Sequence, residues 1–421
     1  MHSLAAAADG DNGLCLRPVA LETPKGEVTM PKSAWGLLAA LLPCLLLPAW
    51  AAEAPARFSI RQGDRYGAID AGGKVVIEPQ YDAELRFADG LAVAAVGSKV
   101  GVIDLDGKLV ISPQAKVGIG SGEFAQEVSL ASLIAGDFAE GLAPFRMGRK
   151  LGYLDRSGAV VVPPQFDQVE AFAEGQALVA QGGRWGSIDR SGKWVIEPQF
   201  DKPFRFREGL AAVLVSGKGF GYIDRKGQFV IPAQYNYAYN FSGDRARVQL
   251  RDGYGYIDRQ GKVVVEPSKE YRIGADYSDA RAPARAGDKG WGYLDPQGGF
   301  AVAPQFFSAR EFSEGRAAVA VGDFRNHQWG YIDAAGKPAG AARFQQAEPF
   351  SEGRAAVLVP RAGYGYVDAA GELVIGPLEG VTQVEPFQGG LARVWFSQVI
   401  GRDGRWGYID RDGKLVWKAE P

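Results

Sequence analysis

A seven-residue pattern, Gly-x-x-Asp-x-x-Gly, returns ten times along this 421-residue chain and limits what it can fold into more than any other feature. Its aspartates are Asp70, Asp104, Asp155, Asp189, Asp224, Asp258, Asp295, Asp333, Asp368 and Asp410, mostly 34 to 38 residues apart. A glycine lies three residues before each aspartate and another three residues after it. Self-similarity at such a period marks a repeat architecture, in which no single unit buries its own apolar face and neighbouring units must cover it.

The unit is clearest at Trp185-Gly186-Ser187-Ile188-Asp189, continuing through Gly192 to Trp194-Val195-Ile196, Pro198-Gln199-Phe200-Asp201 and Phe206-Arg207-Glu208-Gly209. An Asp side chain accepts hydrogen bonds from turn amides, and a glycine three residues later supplies the positive φ that closes a hairpin. The flanking segments are therefore expected to be antiparallel strands. Pro198, with Pro79, Pro113, Pro164, Pro267, Pro304 and Pro377 at the same register, has no N–H to donate and is expected to end the second strand. Ala211 to Val215 then reads as a third. In Trp291-Gly292-Tyr293-Leu294 both strand faces are apolar, so both must be covered, as stacking of repeats would do. The 57 glycines, spread along the chain rather than gathered in tracts, fit many short strands. The expectation is an all-β tandem array of about ten three-stranded antiparallel units, open and elongated or curved. The alternative is a closed, propeller-like array, which usually takes about four strands per blade and four to eight blades.

These residues resemble the WG-repeat (KWG-repeat) family of bacterial proteins. The motif of an aromatic followed by Gly-Tyr-Ile-Asp-x-x-Gly-Lys-x-Val-Ile-x-Pro-Gln-aromatic-Asp is nearly complete from Trp185. It is strong from Tyr66, Phe220, Tyr254, Trp291, Trp329, Tyr364 and Trp406, so the resemblance covers roughly residues 58 to 417. It implies a β-rich repeat, often on exported proteins, with no general catalytic residues. Gly186, Asp189 and Gly192, with the aromatics Trp185, Trp291, Trp329 and Trp406, are expected to be structural. The aromatic row has a second reading, a ladder on which sugar rings stack, but large aromatics usually fill cores.

The N-terminus is set apart from this array. From Met30 the chain places Lys32 before an apolar run, Leu37 to Leu47, and an Ala49-Trp50-Ala51 site, the order of a secretory signal peptide. Residues 1–29 are read as a mis-assigned extension, 30–51 as the signal with cleavage after Ala51, and 52–421 as the repeat array. The expected location is periplasmic or secreted, with no stable membrane span once the signal is removed. Both cysteines, Cys15 and Cys44, fall in the segment taken off, and 44 basic against 45 acidic residues remain. Disulfides and thiol chemistry are thereby excluded. Near-neutrality without basic clusters argues against nucleic-acid binding.

Few chemistries are left. His327 is the one histidine beyond residue 51 and lies in a polar hairpin, which denies the chain a Ser-His-Asp triad or a zinc centre. Asp104-Leu105-Asp106-Gly107 and Asp410-Arg411-Asp412-Gly413 look like calcium loops but lack the distal Glu. Gly118 to Gly122 lacks the Lys-Ser/Thr ending of a phosphate loop. No cofactor or metal is expected. Arg156, Arg190, Arg225, Arg259 and Arg411, each following a repeat Asp, are expected to form a solvated stripe.

Function is sought where the repeat breaks: the insertion between Gln114 and Phe138, the hairpin carrying Arg325, Asn326, His327 and Gln328, the segment Ser397 to Arg405, and Lys337-Pro338-Ala339-Gly340 in place of a Val-Ile strand. The favoured reading is a non-catalytic exported binding or scaffold protein holding a protein or polysaccharide of the cell envelope, with residues 325–328 as candidate ligand contacts. The second is a carbohydrate-active enzyme using paired carboxylates.

Overall fold

All ten Asp-x-x-Gly segments form one kind of turn. At Asp189 the Gly192 N–H donates to the Asp189 carbonyl at 2.9 Å and the Asp189 N–H to the Lys193 carbonyl at 2.9 Å. Asp189 Oδ1 accepts the Ser191 and Lys193 amides at 2.9 and 3.1 Å. The closing glycines have φ between 78° and 88° in every unit, a region where an L side chain is strained. The computed structural model describes residues 56–114, 116–119, 126–129, 133–396 and 405–419. The proposed signal and extension, and segment 397–404, lie outside the described residues. Of the insertion after Gln114, a hairpin pairing Lys116–Ile119 with Gln126–Ser129 is described.

No α-helix occurs among the described residues, and ten antiparallel sheets form the blades of a closed ring, a ten-bladed β-propeller. In chain order the blades span residues 58–81, 91–111, 142–166, 168–200, 211–235, 238–265, 272–306, 308–344, 346–375 and 383–418. Blades 1, 2, 3 and 5 have the three strands expected; the other six have four. The extra strand comes from the connector after the Pro-Gln-Phe segment, as where Gln168 and Val169 pair with Ala180 and Val179.

The prolines end the last strand in some blades, at Ile111, Val265 and Ile375, but not in all. Elsewhere the strand runs on past the proline, as in Trp194–Phe200, through a bulge. Ser187 pairs with Ile196 but Trp185 with Phe200, so the residues between them, Pro198 included, bow out. A bulge tolerates a residue without an N–H. The bow presses on the glycine opposite it: a Cβ on Gly186 would lie 2.3 Å from the Ile196 carbonyl oxygen. Pro338–Phe344 of blade 8 is likewise a strand despite its unusual sequence.

The ring is closed, not open. Asp-turn glycines sit on the last strand of the blade before: a Cβ on Gly107 would meet Ile77 at 3.1 Å, and one on Gly192 would meet Val162 at 3.0 Å. Gly73 of blade 1 stands in the same way on Val416 of blade 10, at 2.7 Å from its carbonyl oxygen. Ile60, Ile69, Leu391 and Tyr408 share one buried cluster across that junction. The variable spacing that suggested an open array falls in loops, away from the turn-on-strand contact that sets the rotation between blades.

Ten separate clusters, rather than a single core, fill the spaces between blades, and tyrosines dominate them. Tyr153, Tyr222, Tyr256, Tyr293, Tyr331 and Tyr366, each directly before the Ile, Leu or Val that precedes a repeat Asp, are fully buried. Each hydroxyl donates to a backbone carbonyl in the next blade, as Tyr153 to Glu170 at 2.6 Å and Tyr331 to Glu348 at 2.8 Å. A buried phenol needs such a partner, so the contact fixes which carbonyl faces it.

Candidate functional site

The meander of each blade separates its loops onto two faces. The Phe-x-Glu-Gly and Asp-x-x-Gly turns share one end, here the turn face. The hairpins and the blade-to-blade crossings share the other, the hairpin face. The insertion after Gln114, the hairpin of residues 323–326 and the strand ends flanking 397–404 all belong to the hairpin face.

On that face the blade 8 hairpin, Arg316–Gly322 with His327–Asp333, carries the sequence-predicted contacts. Asp323 Oδ1 accepts the Arg325 and Asn326 amides at 2.8 and 2.9 Å. Those amides, Asn326 first, hold the Asp323 carboxyl below its usual range. Arg325, Asn326 and Gln328 are exposed, while His327 is half-buried and stacks on Phe307, ring centroids 4.9 Å apart. The structure thus brings His327 to a ring rather than to a reactive group. It adds a residue the sequence reading passed over: Phe324, 84% exposed at the hairpin tip. An aromatic between Asp323 and Arg325 in an otherwise polar loop was its signal.

The repeat aromatics differ in burial. Trp185 and Trp406 are buried, Trp291 and Trp329 half-buried, and Arg310 lies over the Trp329 ring at 5.2 Å. Tyr254, at the same register, is 37% exposed, so the row is not a uniform core. The arginines after the repeat aspartates are not simply a solvated stripe. Arg156 pairs with Asp89, Arg225 with Glu174 and Arg411 with Glu352, each at 2.8 Å and each across a blade interface. Exposed pairs of this kind contribute about 0–1 kcal/mol each.

The turn face holds a cavity of about 910 Å³ at the ring seam, lined by residues of blades 1, 2 and 10 and by Arg156 of blade 3. In Phe387-Gln388-Gly389-Gly390 of blade 10 a glycine stands where most blades carry Glu or Asp, as Gly243 does in blade 6. Gly389 lets Ala56 approach: a Cβ there would lie 2.7 Å from that of Ala56. On the cavity wall Arg393 donates to Glu84 and to the Tyr408 hydroxyl, both at 2.8 Å. The Tyr408 hydroxyl donates in turn to the Ser59 carbonyl at 3.0 Å. Burial alone would lower the Arg393 pKa, but Tyr408 and Glu84 outweigh it and the guanidinium is held charged. Among the described residues no three His, Cys, Asp or Glu side chains gather as metal ligands, and no helix is long and apolar enough to cross a membrane.

Similarity to solved structures is broad and shallow. The computationally designed Ika8 protein is 12% identical, over 69% of this chain and 93% of its own, with a TM-score of 0.33. BamB from Moraxella catarrhalis is 12% identical over 66% and 92%, TM-score 0.30. Apo AztD from Citrobacter koseri is 13% identical over 75% and 93%, TM-score 0.31. No curated protein matches. The family described as WG containing repeat matches at residues 66–99, 152–185, 185–218, 220–253, 254–272, 291–323 and 329–359. These stretches make up more than half of the chain, and the protein belongs to the WG-repeat family.

Proposed function

We propose that this protein is a non-catalytic binding module, exported from the cytoplasm, that holds a protein partner of the cell envelope on its hairpin face. A repeat propeller fits a binding or scaffold role in general. One observation supports the finer reading: Phe324 stands almost fully exposed on a tip whose backbone is fixed by the Asp323 carboxylate. Exposed aromatics on pre-ordered loops serve as anchors that fill a partner's pocket with little ordering cost. Val321, on the strand leading into the tip, is 40% exposed, Phe307 beneath His327 is 37% exposed, and Arg325 supplies a charge beside Phe324.

The test is a photo-crosslinking residue placed at position 324 in the exporting cell, with the same residue at Gly183 of the blade 4 hairpin as control. The expected result is a discrete protein adduct at 324 and none at 183. No adduct, or equal adducts at both, overturns the reading. The carbohydrate-active alternative is separated by turnover: a purified protein that cleaves a polysaccharide, and stops when one non-repeated carboxylate is changed, is an enzyme.

A further inference from the structure

We infer that the seam cavity is a binding site for a short neutral oligosaccharide, a ligand and a place distinct from the hairpin anchor. Its volume of about 910 Å³ falls in the range of ligand pockets, about 300–1,000 Å³. Its chemistry selects the class of ligand. The carboxylates on its wall are Glu84, Asp89, Asp104, Asp106 and Glu385; the guanidiniums are Arg57, Arg86, Arg156 and Arg393. Three pairs are formed, Arg393 with Glu84 and Arg156 with Asp89 at 2.8 Å and Arg57 with Asp106 at 3.4 Å. Asp104 is engaged by its own turn amides.

Glu385, Arg86 and Gln388 have no side-chain hydrogen bond or ion pair among the described residues, and all three line the cavity. Together they present a charged acceptor, a charged donor and an amide that is both. Five carboxylates against four guanidiniums, three of each paired, leave the wall near electrical balance, so a ligand of either net charge gains little net attraction. A neutral polyol needs none: its hydroxyls donate to Glu385 and accept from Arg86, and either way the bonds are charge-assisted. Phe58 and Phe87, both half-buried, supply apolar surface for the C–H face of a sugar ring, and Phe58 is held edge-on to Tyr408 at 5.4 Å. At this junction Gly389 offers no carboxylate to the next turn, whereas Glu352 one junction earlier accepts the Gly389 and Gly390 amides.

The full chain is probed on an array of neutral oligosaccharides of several rings beside uronate- and amino-sugar-containing counterparts, and the best neutral compound is titrated calorimetrically. Neutral binders are expected to lead, and the double variant Glu385→Ala/Arg86→Ala to lose at least tenfold in affinity with its melting temperature unchanged. Gln388→Trp, an exposed position at the cavity wall, serves as an independent block and is expected to weaken the same compound. Silence across the neutral set, stronger binding of charged sugars, or affinity unchanged in both variants overturns the assignment. The hairpin crosslink reports on another face, so failure of one proposal is distinguishable from failure of the other.

Discussion

Two blade junctions use the same packing with different polar contacts. Where blade 8 meets blade 9, four contacts repeat the family pattern. Tyr331 donates to the Glu348 carbonyl at 2.8 Å, and Ser313 to the Phe350 carbonyl at 2.8 Å. Arg316 donates to the Ala369 carbonyl at 2.8 Å, while the Glu314 carboxylate accepts the Glu352 and Gly353 amides at 2.7 and 2.8 Å. At the seam between blades 10 and 1 the tyrosine contact survives as Tyr408 to Ser59. The turn carboxylate is gone, and Arg393 reaches past blade 1 to Glu84 of blade 2. The regular junction adds an Arg310–Glu348 pair at 2.5 and 3.1 Å, but its Ser313, Glu314 and Arg316 contacts stand apart from it, whereas at the seam one guanidinium joins Glu84 and the Tyr408 hydroxyl in a single network. Such networks lose more on a single deletion, because each member left behind is buried without its partner.

Arg393→Met breaks the comparison most directly. It leaves Glu84 without its partner and takes one of the two bonds of the Tyr408 hydroxyl, the one to Ser59 remaining, with an expected loss of about 2–4 kcal/mol, discounted for the partial exposure of Arg393 and Glu84. Arg316→Met at the regular junction removes one contact to a carbonyl that water can reach, at about 1 kcal/mol. Urea unfolding of the two variants measures the gap. Equal losses would mean that the seam network is no more connected than the repeat.

Removing a hydroxyl alone sharpens the same contrast. Tyr408→Phe takes an acceptor from a charged guanidinium as well as a donor from Ser59, and is expected to cost about 2 kcal/mol. Tyr331→Phe leaves one carbonyl unmatched, at about 1 kcal/mol. A double-mutant cycle of Tyr408→Phe with Arg393→Met should show coupling of about 1 kcal/mol or more, and Tyr331→Phe with Arg316→Met close to none.

The repeat half of this contrast was legible in the sequence and the seam half was not. The Asp turns, their glycines and the antiparallel strands follow from local geometry, which a motif such as Asp189-Arg190-Ser191-Gly192 writes out in full. The role of Tyr331 was hidden because its partner carbonyl lies 17 residues on, in another blade, and backbone acceptors leave no sequence signal. The proline bulges were missed for a related reason: Pro198 forbids a donor but not a bow in the strand, and only the opposing Gly186 says which occurs. Ring closure depends on a contact 349 residues apart, between Tyr408 and Ser59, and no periodicity encodes it. Among candidate contacts, residues 325–328 belong to a hairpin whose extra length is visible in the sequence. Their neighbour Phe324 and the seam cavity needed coordinates, since exposure and concavity are properties of the assembled ring.

The smallest expected effect tests where the chain of turn carboxylates ends. Glu352 accepts the Gly389 and Gly390 amides at 2.6 and 2.9 Å and pairs with Arg411, and blade 10 then offers no carboxylate onward. Burial pushes the Glu352 pKa up, but Arg411 and the two amides together pull harder and leave it below the usual carboxylate value. A carboxyl whose folded pKa is depressed contributes stability that is fully present above its unfolded pKa, about 4.3, and is lost as pH falls through the folded value. Glu352→Gln should therefore be less stable than the parent by a constant margin from pH 7 to about pH 5. The margin should shrink below about pH 4.3 and vanish once the parent's Glu352 is itself protonated. Glu314→Gln, one junction earlier, has no arginine among its partners in the described residues and serves as the reference. Its margin is expected to be smaller at neutral pH, and a larger one would place the main anchor of the turn face in the regular repeat rather than at its end.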